Sequence, residues 1–182
     1  MTHFNVSDRK TLAAFVYGEG EDPNRIVADF AEDLARRGHR LGGVIQIAAA
    51  AQDCECRETH VLDLETGEHL SILQDLGRHS QSCRIDSAAL AAIGHRISSA
   101  IARNPELLFI NRFGKLEAEG KGVFAEIGEA AAADIPTVVT VSTRYLDQWR
   151  QFTSGLDEEL ACSSESLRQW WADISALRAV GI

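Results

Sequence analysis

The sequence is short of positive charge. It contains 18 Lys and Arg residues against 27 Asp and Glu residues, and its formal net charge is −9. This balance disfavours an extended contact with nucleic acid, because few cations are free to replace the counterions of a phosphate backbone. It leaves room for a small anion in a local basic pocket, so the expected partner is a small anionic molecule and not a nucleic acid.

Long apolar runs are also missing. No stretch approaches the roughly 20 apolar residues that a membrane helix needs, so no membrane segment is expected. Residues 1–10 are polar and lack the apolar core of a secretory signal. We therefore expect a cytoplasmic protein whose four cysteines are mainly reduced, with a fold that does not depend on disulfides.

The cysteines lack the paired C-x-x-C spacing that is typical of zinc sites. Cys54 and Cys56 are two residues apart, so on an extended segment both thiols point to the same side. Cys83, His60 and His79 are the candidates for further metal ligands. Reduced, partly buried thiols are the simpler interpretation of the same residues, and no metal site is assigned.

Short apolar runs alternate with amphipathic segments along the chain. Residues 11–17, 41–50, 106–111 and 136–142 are typical of strands buried on both faces. Helices are predicted after the first strand, with Asp22 as N-cap and Pro23 at the first helical position, over 86–105, over 122–135, and as two helices around a turn at 154–155.

A hairpin interrupts this alternation, because residues 59–64 and 68–73 flank a short turn that contains Gly67. The predicted fold class is α/β, with a mainly parallel sheet, helices on both faces and an inserted β-hairpin. We expect a single domain over 1–182. Its α/β core would span 11–153 with the hairpin at 59–73, followed by a C-terminal helical segment at 154–182. Four aromatic residues are expected to pack together in this tail: Trp149, Phe152, Trp170 and Trp171.

Gly18 and Gly20 follow the first strand in the layout of a phosphate-binding loop. Alignment of G-x-x-x-x-G-K-[ST] on Gly18 places Pro23, Asn24 and Arg25 at the second glycine, the lysine and the hydroxyl. Proline has no N–H, asparagine has no charge and arginine does not hold a metal, while acidic residues in the loop repel phosphate. ATP hydrolysis by the usual route is not expected. The loop is either a tight strand-to-helix turn or a place where glycines let a ligand approach the backbone.

Two further loops are expected at the same edge of the sheet, where ligands of α/β folds bind. The loop at 111–122 offers Asn111, Gly114, Lys115 and Glu117 as ligand-binding candidates. A solvated loop whose charges pair with one another is the competing interpretation.

The loop at 74–85 precedes a helix, and its candidates are Arg78, Ser82, Cys83 and Arg84. Arginine suits oxyanions because its planar fork donates two parallel hydrogen bonds, and polar loops of this length are often functional. The competing interpretation is an exposed loop in which Arg84 pairs with Asp86.

These loops resemble a known family. The segment at 12–24, the hairpin HVLDLETGEHLSI, and the loops QDLGRHSQSCRID and INRFGKLEAEGKG are similar to bacterial proteins of domain-of-unknown-function family 2478. The resemblance covers about residues 11–160. That family is similar in turn to thermophile-type nucleoside-triphosphatases, so the resemblance implies a P-loop-NTPase-like three-layer sandwich.

The resemblance also bears on activity. Active nucleoside-triphosphatases of this type carry Lys-Thr in the glycine loop and Asp-Glu at the end of the strand, where this chain has Asn24-Arg25 and Asn111-Arg112. It therefore implies a frame without the hydrolytic parts, so the protein is not expected to be an enzyme. Some family members neighbour molybdate-uptake functions, which adds an oxyanion to nucleotides as a candidate ligand.

The leading hypothesis is a non-hydrolytic protein that binds a nucleotide or an oxyanion such as molybdate or phosphate at the carboxyl edge of the sheet. One alternative is a nucleotide hydrolase with a non-standard site, in which Lys115 and Glu117 replace the lost residues. The other is a protein-interaction module, a homo-oligomer assembled through its aromatic C-terminal helices.

Overall fold

The computed structural model describes residues 10–47, 60–71 and 87–179. In these ranges seven strands form one sheet: β1 (Leu12–Tyr17), β2 (Leu41–Ile47), β3 (His60–Asp63), β4 (His69–Ser71), β5 (Leu107–Phe113), β6 (Thr137–Ser142) and β7 (Asp157–Ala161). The order across the sheet is β4-β3-β2-β5-β6-β1-β7. The five strands from β2 to β7 in this order are parallel, and β3 and β4 extend the sheet as an antiparallel hairpin beside β2.

The helices pack on both faces of the sheet. They are α1 (Pro23–Arg36), α2 (Ser87–Ala102), α3 (Lys115–Ala118), α4 (Phe124–Ala132), α5 (Leu146–Thr153) and α6 (Ser164–Ala179). One core layer contains Ile97 of α2 and Ile127 of α4, and the opposite layer contains Phe30 of α1 and Leu167 of α6. The parallel strands are buried from both sides, which explains their continuous apolar sequences. The predicted α/β fold with two helical layers and a hairpin is confirmed.

The start of α1 follows from its local sequence. The carboxylate of Asp22 accepts a hydrogen bond from the amide of Arg25 at 3.2 Å, and Pro23 is the first helical residue. Proline suits this position because its missing N–H would have no partner inside the helix. The predicted N-cap is therefore confirmed, and it fixes the point at which the chain leaves β1 and turns back along the sheet.

The C-terminal segment differs from the sequence-based prediction. Between α5 and α6 the chain forms β7, which pairs with β1 at the edge of the sheet. The two predicted helices and the turn at 154–155 are present, but the prediction missed β7, because the acidic sequence of Asp157–Ala161 lacks a strand signal and becomes a strand only through its pairing. Asp157 is buried and accepts hydrogen bonds from Trp149 Nε1 at 2.8 Å and from Thr153 Oγ1 at 2.6 Å. These two bonds attach α5 to β7.

The four aromatic residues of this segment do not pack together. Trp149 and Phe152 lie in the core layer of α2 and α4, whereas Trp170 and Trp171 lie in the layer of α1. The sheet separates the two pairs, because β7 carries the chain from one face to the other.

Of the helices in the described ranges, none has the length and apolar character required to cross a membrane.

Candidate functional site

A cleft of about 220 Å³ opens at the carboxyl edge of the sheet. It lies where three neighbouring strands end. Tyr17 is the last residue of β1, Ser142 is the last residue of β6, and Arg112 is the residue before the last in β5. Tyr17 and Ser142 are register partners in the parallel ladder. The described residues that line the cleft are Tyr17, Arg112, Gly114, Lys115, Ser142, Arg144 and Tyr145.

The lining carries positive charge only. Arg112, Lys115 and Arg144 have exposed side chains, and none of the described lining residues is Asp or Glu. The ion pairs within the described ranges involve other cations, among them Arg37, Arg96 and Arg150. Three cations without an ion-pair partner among the described residues create a positive potential that attracts anions, even though the protein as a whole is acidic.

Hydroxyl groups complete the lining. Tyr17 and Tyr145 are the two tyrosines of the chain, and both are half-buried at the cleft. Ser142 Oγ accepts a hydrogen bond from the amide of Arg144 at 3.3 Å, which stabilises the 3₁₀ turn at Thr143–Tyr145. This bond uses an oxygen lone pair, so the hydroxyl proton of Ser142 remains a donor for a ligand.

A bulge in β5 directs Arg112 to the cleft. Ile110 pairs with Val139 and Phe113 with Val141, so three steps along β5 match two steps along β6. One extra residue in a strand bends it locally and changes the direction of its side chains. Phe113 is consequently buried while Arg112 is exposed beside the cleft.

The side chain of Asn111 links this bulge to both neighbouring strands by hydrogen bonds. Its Nδ2 donates to Gln46 Oε1 of β2 at 3.1 Å, and its Oδ1 accepts from Thr140 Oγ1 of β6 at 2.9 Å. It lies at a separate hollow of about 10 Å³ that Asn24 and Gln46 also line, roughly the space of one water molecule. The structure thus places Asn111 at this hollow, and Asn111 is not among the described residues that line the cleft.

The side chain of Glu117 accepts hydrogen bonds within its own loop. Its carboxylate is buried, with 7% of the residue exposed, and it accepts hydrogen bonds from the amides of Gly114 at 3.0 Å and Val123 at 3.1 Å. Gly122 has a φ of +60°, and a Cβ there would lie 2.1 Å from Glu117 Oε1. Glu117 therefore fixes the shape of the loop that presents Gly114 and Lys115, and it is not among the described residues that line the cleft.

Acidic residues of the glycine loop accept hydrogen bonds from backbone amides at the loop and at the start of α1. Glu21 accepts a hydrogen bond from the amide of Gly18 at 2.5 Å, and Asp22 caps α1. Gly20 is exposed with a φ of +83°. Neither Gly18 nor Gly20 is among the described residues that line the cleft.

Burial raises the pKa of the nearby Cys162 thiol to about 11, and the carboxylates of Glu21 and Asp22 add to this shift. The surroundings of the loop are thus unfavourable to negative charge.

The other sequence-based candidates, Arg78, Ser82, Cys83, Arg84, Cys54 and Cys56, lie outside the described residues. Within the described ranges, no group of three or more His, Cys, Asp or Glu side chains is placed to hold a metal ion.

The sequence-based selection thus placed Lys115 and Gly114 at the cleft but missed five of its residues: Tyr17, Arg112, Ser142, Arg144 and Tyr145. A common signal was available, because each of them lies at or within three residues of the carboxyl end of a parallel strand, the edge at which ligands of such folds bind.

Comparisons with known proteins agree with the fold. The structure of THEP1 from the hyperthermophile Aquifex aeolicus matches with a TM-score of 0.58 at 16% identity, covering 91% of this chain and 98% of that chain. This likeness shows that the fold is P-loop-NTPase-like.

Relatives are also found by sequence. The molybdenum import ATP-binding protein ModC 2 of Bradyrhizobium diazoefficiens is 36% identical over 170 residues, which are 93% of this chain and 19% of that protein. The chain thus spans about a fifth of the length of this curated relative. The sequence model of the DUF2478 family, described as a protein of unknown function, matches residues 12–170. The chain therefore belongs to the DUF2478 family, and the resemblance seen in its loops is confirmed.

Proposed function

We propose that the protein binds a small anionic ligand in the cleft at the carboxyl edge of the sheet and does not hydrolyse nucleoside triphosphates. The observation that carries this proposal is the convergence of Arg112, Lys115 and Arg144 on a cleft without a described carboxylate, in a protein of net charge −9. Cations that have no acidic partner among the described residues are well placed at such a position to bind an anion.

The arrangement of the glycine loop supports the non-hydrolytic part of the proposal. A phosphate loop grips a triphosphate with backbone amides, a lysine and a magnesium-binding hydroxyl. Here Glu21 already accepts from the amide of Gly18, and Asn24 and Arg25 occupy the lysine and hydroxyl positions. Asn111, which takes the place of a strand-end acid, is hydrogen-bonded to Gln46 and Thr140.

The curated relative narrows the ligands to be tested. It is named as a molybdenum import ATP-binding protein, so both molybdate and a nucleotide belong in a binding screen. Nothing in the cleft requires the ligand to be hydrolysed, since its described lining offers cations and hydroxyls but no carboxylate that would act as a general base.

The burial of the C-terminal aromatics counts against a module that assembles through them. Trp149, Trp170 and Trp171 are all buried within the chain's own core. Among the described residues, Leu156 is the large apolar residue that is exposed, at 69%. One such side chain does not make an apolar interface.

Titration calorimetry with molybdate, phosphate and ATP tests the proposal. Arg112→Ala and Arg144→Ala should each weaken the binding of the anion about tenfold, because a hydrogen bond to a charged group contributes about 1.5–3 kcal/mol and about 1.4 kcal/mol is tenfold in affinity. Arg168→Ala is the matched control, since this arginine of α6 is exposed and is not among the described residues of the cleft. Its affinity should equal that of the wild type.

Two outcomes would contradict the proposal. The binding part fails if no anion binds at millimolar concentration, or if both cleft variants bind like the wild type. The non-hydrolytic part fails if purified protein releases phosphate from ATP or GTP with magnesium and Arg112→Ala or Lys115→Ala abolishes the release. The latter result would favour the nucleotide hydrolase with a non-standard site.

A further inference from the structure

We infer that the ligand of the cleft is a compact tetrahedral oxyanion that carries two negative charges and no proton, and that it binds without a metal ion. This inference rests on the proposed anion-binding function and names its ligand class. The members of the class that are used below as probes are sulfate and molybdate. Three features of the cleft carry it: its size, the nature of its donors and the absence of a carboxylate from its described lining.

The size of the cleft favours a compact ligand. Its volume of about 220 Å³ falls below the roughly 300–1,000 Å³ of sites that bury a drug-sized molecule or a cofactor. A nucleotide would fill the cleft with its phosphates and leave its base and ribose in solvent. The described lining offers no apolar slot for a base apart from the two tyrosines, so the nucleoside would add little to the affinity.

The donors match a tetrahedral dianion. Arg112 and Arg144 offer planar forks that donate two parallel hydrogen bonds to a pair of oxygens, and Lys115 adds a compact charge. The hydroxyl of Ser142 and the phenols of Tyr17 and Tyr145 supply single O–H donors. Three positive charges exceed the two charges of the anion, so the site would bind the fully ionised form without a further cation.

Strong acceptors are absent from the described lining, and this distinguishes one oxyanion from another. Hydrogen phosphate carries an O–H that needs an acceptor, which a carboxylate or a free carbonyl would provide. No Asp or Glu lines the described part of the cleft. The neutral oxygens of the lining, such as the carbonyl of Gly114 and Ser142 Oγ, each accept one hydrogen bond already and are weaker acceptors than a carboxylate. Sulfate and molybdate carry no proton at neutral pH, so they need no acceptor from the cleft.

The same lining disfavours a magnesium-bound nucleotide. Magnesium is usually held by one or two carboxylates together with the phosphates, and the described lining contains none. Glu117, the nearest acidic residue along the chain to Lys115, is engaged with the amides of Gly114 and Val123. We therefore expect magnesium to leave the binding of the anion unchanged.

The test is titration calorimetry of the full chain at pH 7.5 and constant ionic strength set with sodium chloride. The probes are sodium sulfate, sodium molybdate, sodium phosphate, and ATP with and without magnesium. Sulfate and molybdate should bind one to one and at least tenfold more tightly than phosphate or either form of ATP. Chelation of divalent metals should not change these affinities.

Variants separate charge from geometry. Arg112→Ala should weaken the binding of sulfate and molybdate about tenfold, and Arg112→Lys, which keeps the charge but loses the fork, should weaken it about threefold to fivefold. Arg144→Ala, on a different segment, repeats the test if a change at the β5 bulge disturbs folding. Circular dichroism checks that each variant is folded, and Arg168→Ala again serves as the control.

The outcomes distinguish this inference from the proposed function. If phosphate binds as tightly as sulfate and molybdate, or ATP binds more tightly than both, while Arg112→Ala and Arg144→Ala weaken that binding, the inference is overturned and the anion site remains. If Arg112→Lys binds like the wild type, the requirement for the arginine fork is overturned. If no probe binds, or binding ignores both alanine variants, the inference and the proposed function fail together.

Discussion

In the glycine loop, Glu21 accepts a hydrogen bond from the amide of Gly18, with 2.5 Å between the oxygen and the nitrogen. In a phosphate-binding loop the corresponding amide would donate to a phosphate of the ligand. Here the carboxylate of Glu21 accepts that hydrogen bond instead. The loop therefore satisfies its own donor, and the three cations of the protein's cleft lie on other segments. This relationship explains how a P-loop-like frame is compatible with the proposed site elsewhere on the same sheet edge.

Neutralising Glu21 should not restore triphosphate chemistry. Glu21→Gln retains an oxygen that accepts from Gly18, so the free energy of unfolding should fall by about 1 kcal/mol or less. ATP turnover should stay at background, because Asn24 supplies no charge at the lysine position. Urea denaturation and a phosphate-release assay measure the two effects. Glu19→Gln, an equal charge change at an exposed neighbour, is the control, and turnover gained by Glu21→Gln alone would refute this account of the loop.

Removing the carboxylate of Glu117 should destabilise the loop that presents Lys115. Glu117→Ala leaves the amides of Gly114 and Val123 without their shared acceptor, and the loss of two buried, charge-assisted hydrogen bonds should cost about 3 kcal/mol. Gly122→Ala should also destabilise, because its Cβ would meet Glu117 Oε1. Chemical denaturation measures both changes. Glu119→Ala, at an exposed position two residues away, should change stability little; equal losses for Glu117→Ala and Glu119→Ala would contradict the assigned role.

Acid should weaken the attachment of the hairpin to α2. Asp63 accepts from Arg96 at 2.7 Å. Burial opposes ionisation of Asp63, but the hydrogen bonds from Arg96 and from the amides of Glu65 and Thr66 outweigh it and hold its pKa below the ordinary 3.8. A lowered pKa in the folded state contributes stability that is present above the unfolded pKa and is lost as pH falls through the folded one.

The measurement is the free energy of unfolding of wild type and Asp63→Asn between pH 7 and pH 2. The destabilisation caused by Asp63→Asn should be largest near neutral pH and should shrink as the pH falls below about 4, where Asp63 of the unfolded wild type takes up a proton. Asp29→Asn, an exposed acid on α1, provides the control. A difference between Asp63→Asn and wild type that is constant across this range would rule out the charge of Asp63 as its source.

Cys162 should react slowly with alkylating reagents. Its pKa is raised to about 11 by burial and by the carboxylates of Glu21 and Asp22, and the thiolate is the reactive form. Alkylation at Cys162, followed by mass spectrometry of its peptide, should accelerate as pH rises from 8 towards 11. In denaturant at pH 8 the same thiol should react much faster, because its pKa returns to about 8.5.

Glu21→Gln provides a linked test of the electrostatic part. It removes one of the two carboxylates that raise the pKa of Cys162, so alkylation at pH 8 should become faster. Glu19→Gln should leave the rate near that of wild type. A folded protein whose Cys162 reacts at pH 8 as fast as the denatured chain would contradict both the burial and the charge argument.

The sequence by itself determined most of the elements of this protein and their order, β7 excepted. The apolar run before Gly18, the cap at Asp22 and the turn at Gly67 are local features, since each depends on the conformational preferences of a few adjacent residues. They were enough to predict a mainly parallel sheet with two helical layers and an inserted hairpin, and the family resemblance in the loops agreed with them.

Only the tertiary structure decided which side chains line the cleft together and which strand forms the edge of the sheet beside β1. Tyr17, Arg112 and Arg144 lie far apart along the chain and become neighbours because three parallel strands end at one edge. The bulge that exposes Arg112 arises from the pairing of β5 with β6, and β7 forms because its backbone pairs with β1 and Asp157 accepts from Trp149. These interactions join distant segments, so no local pattern encodes them.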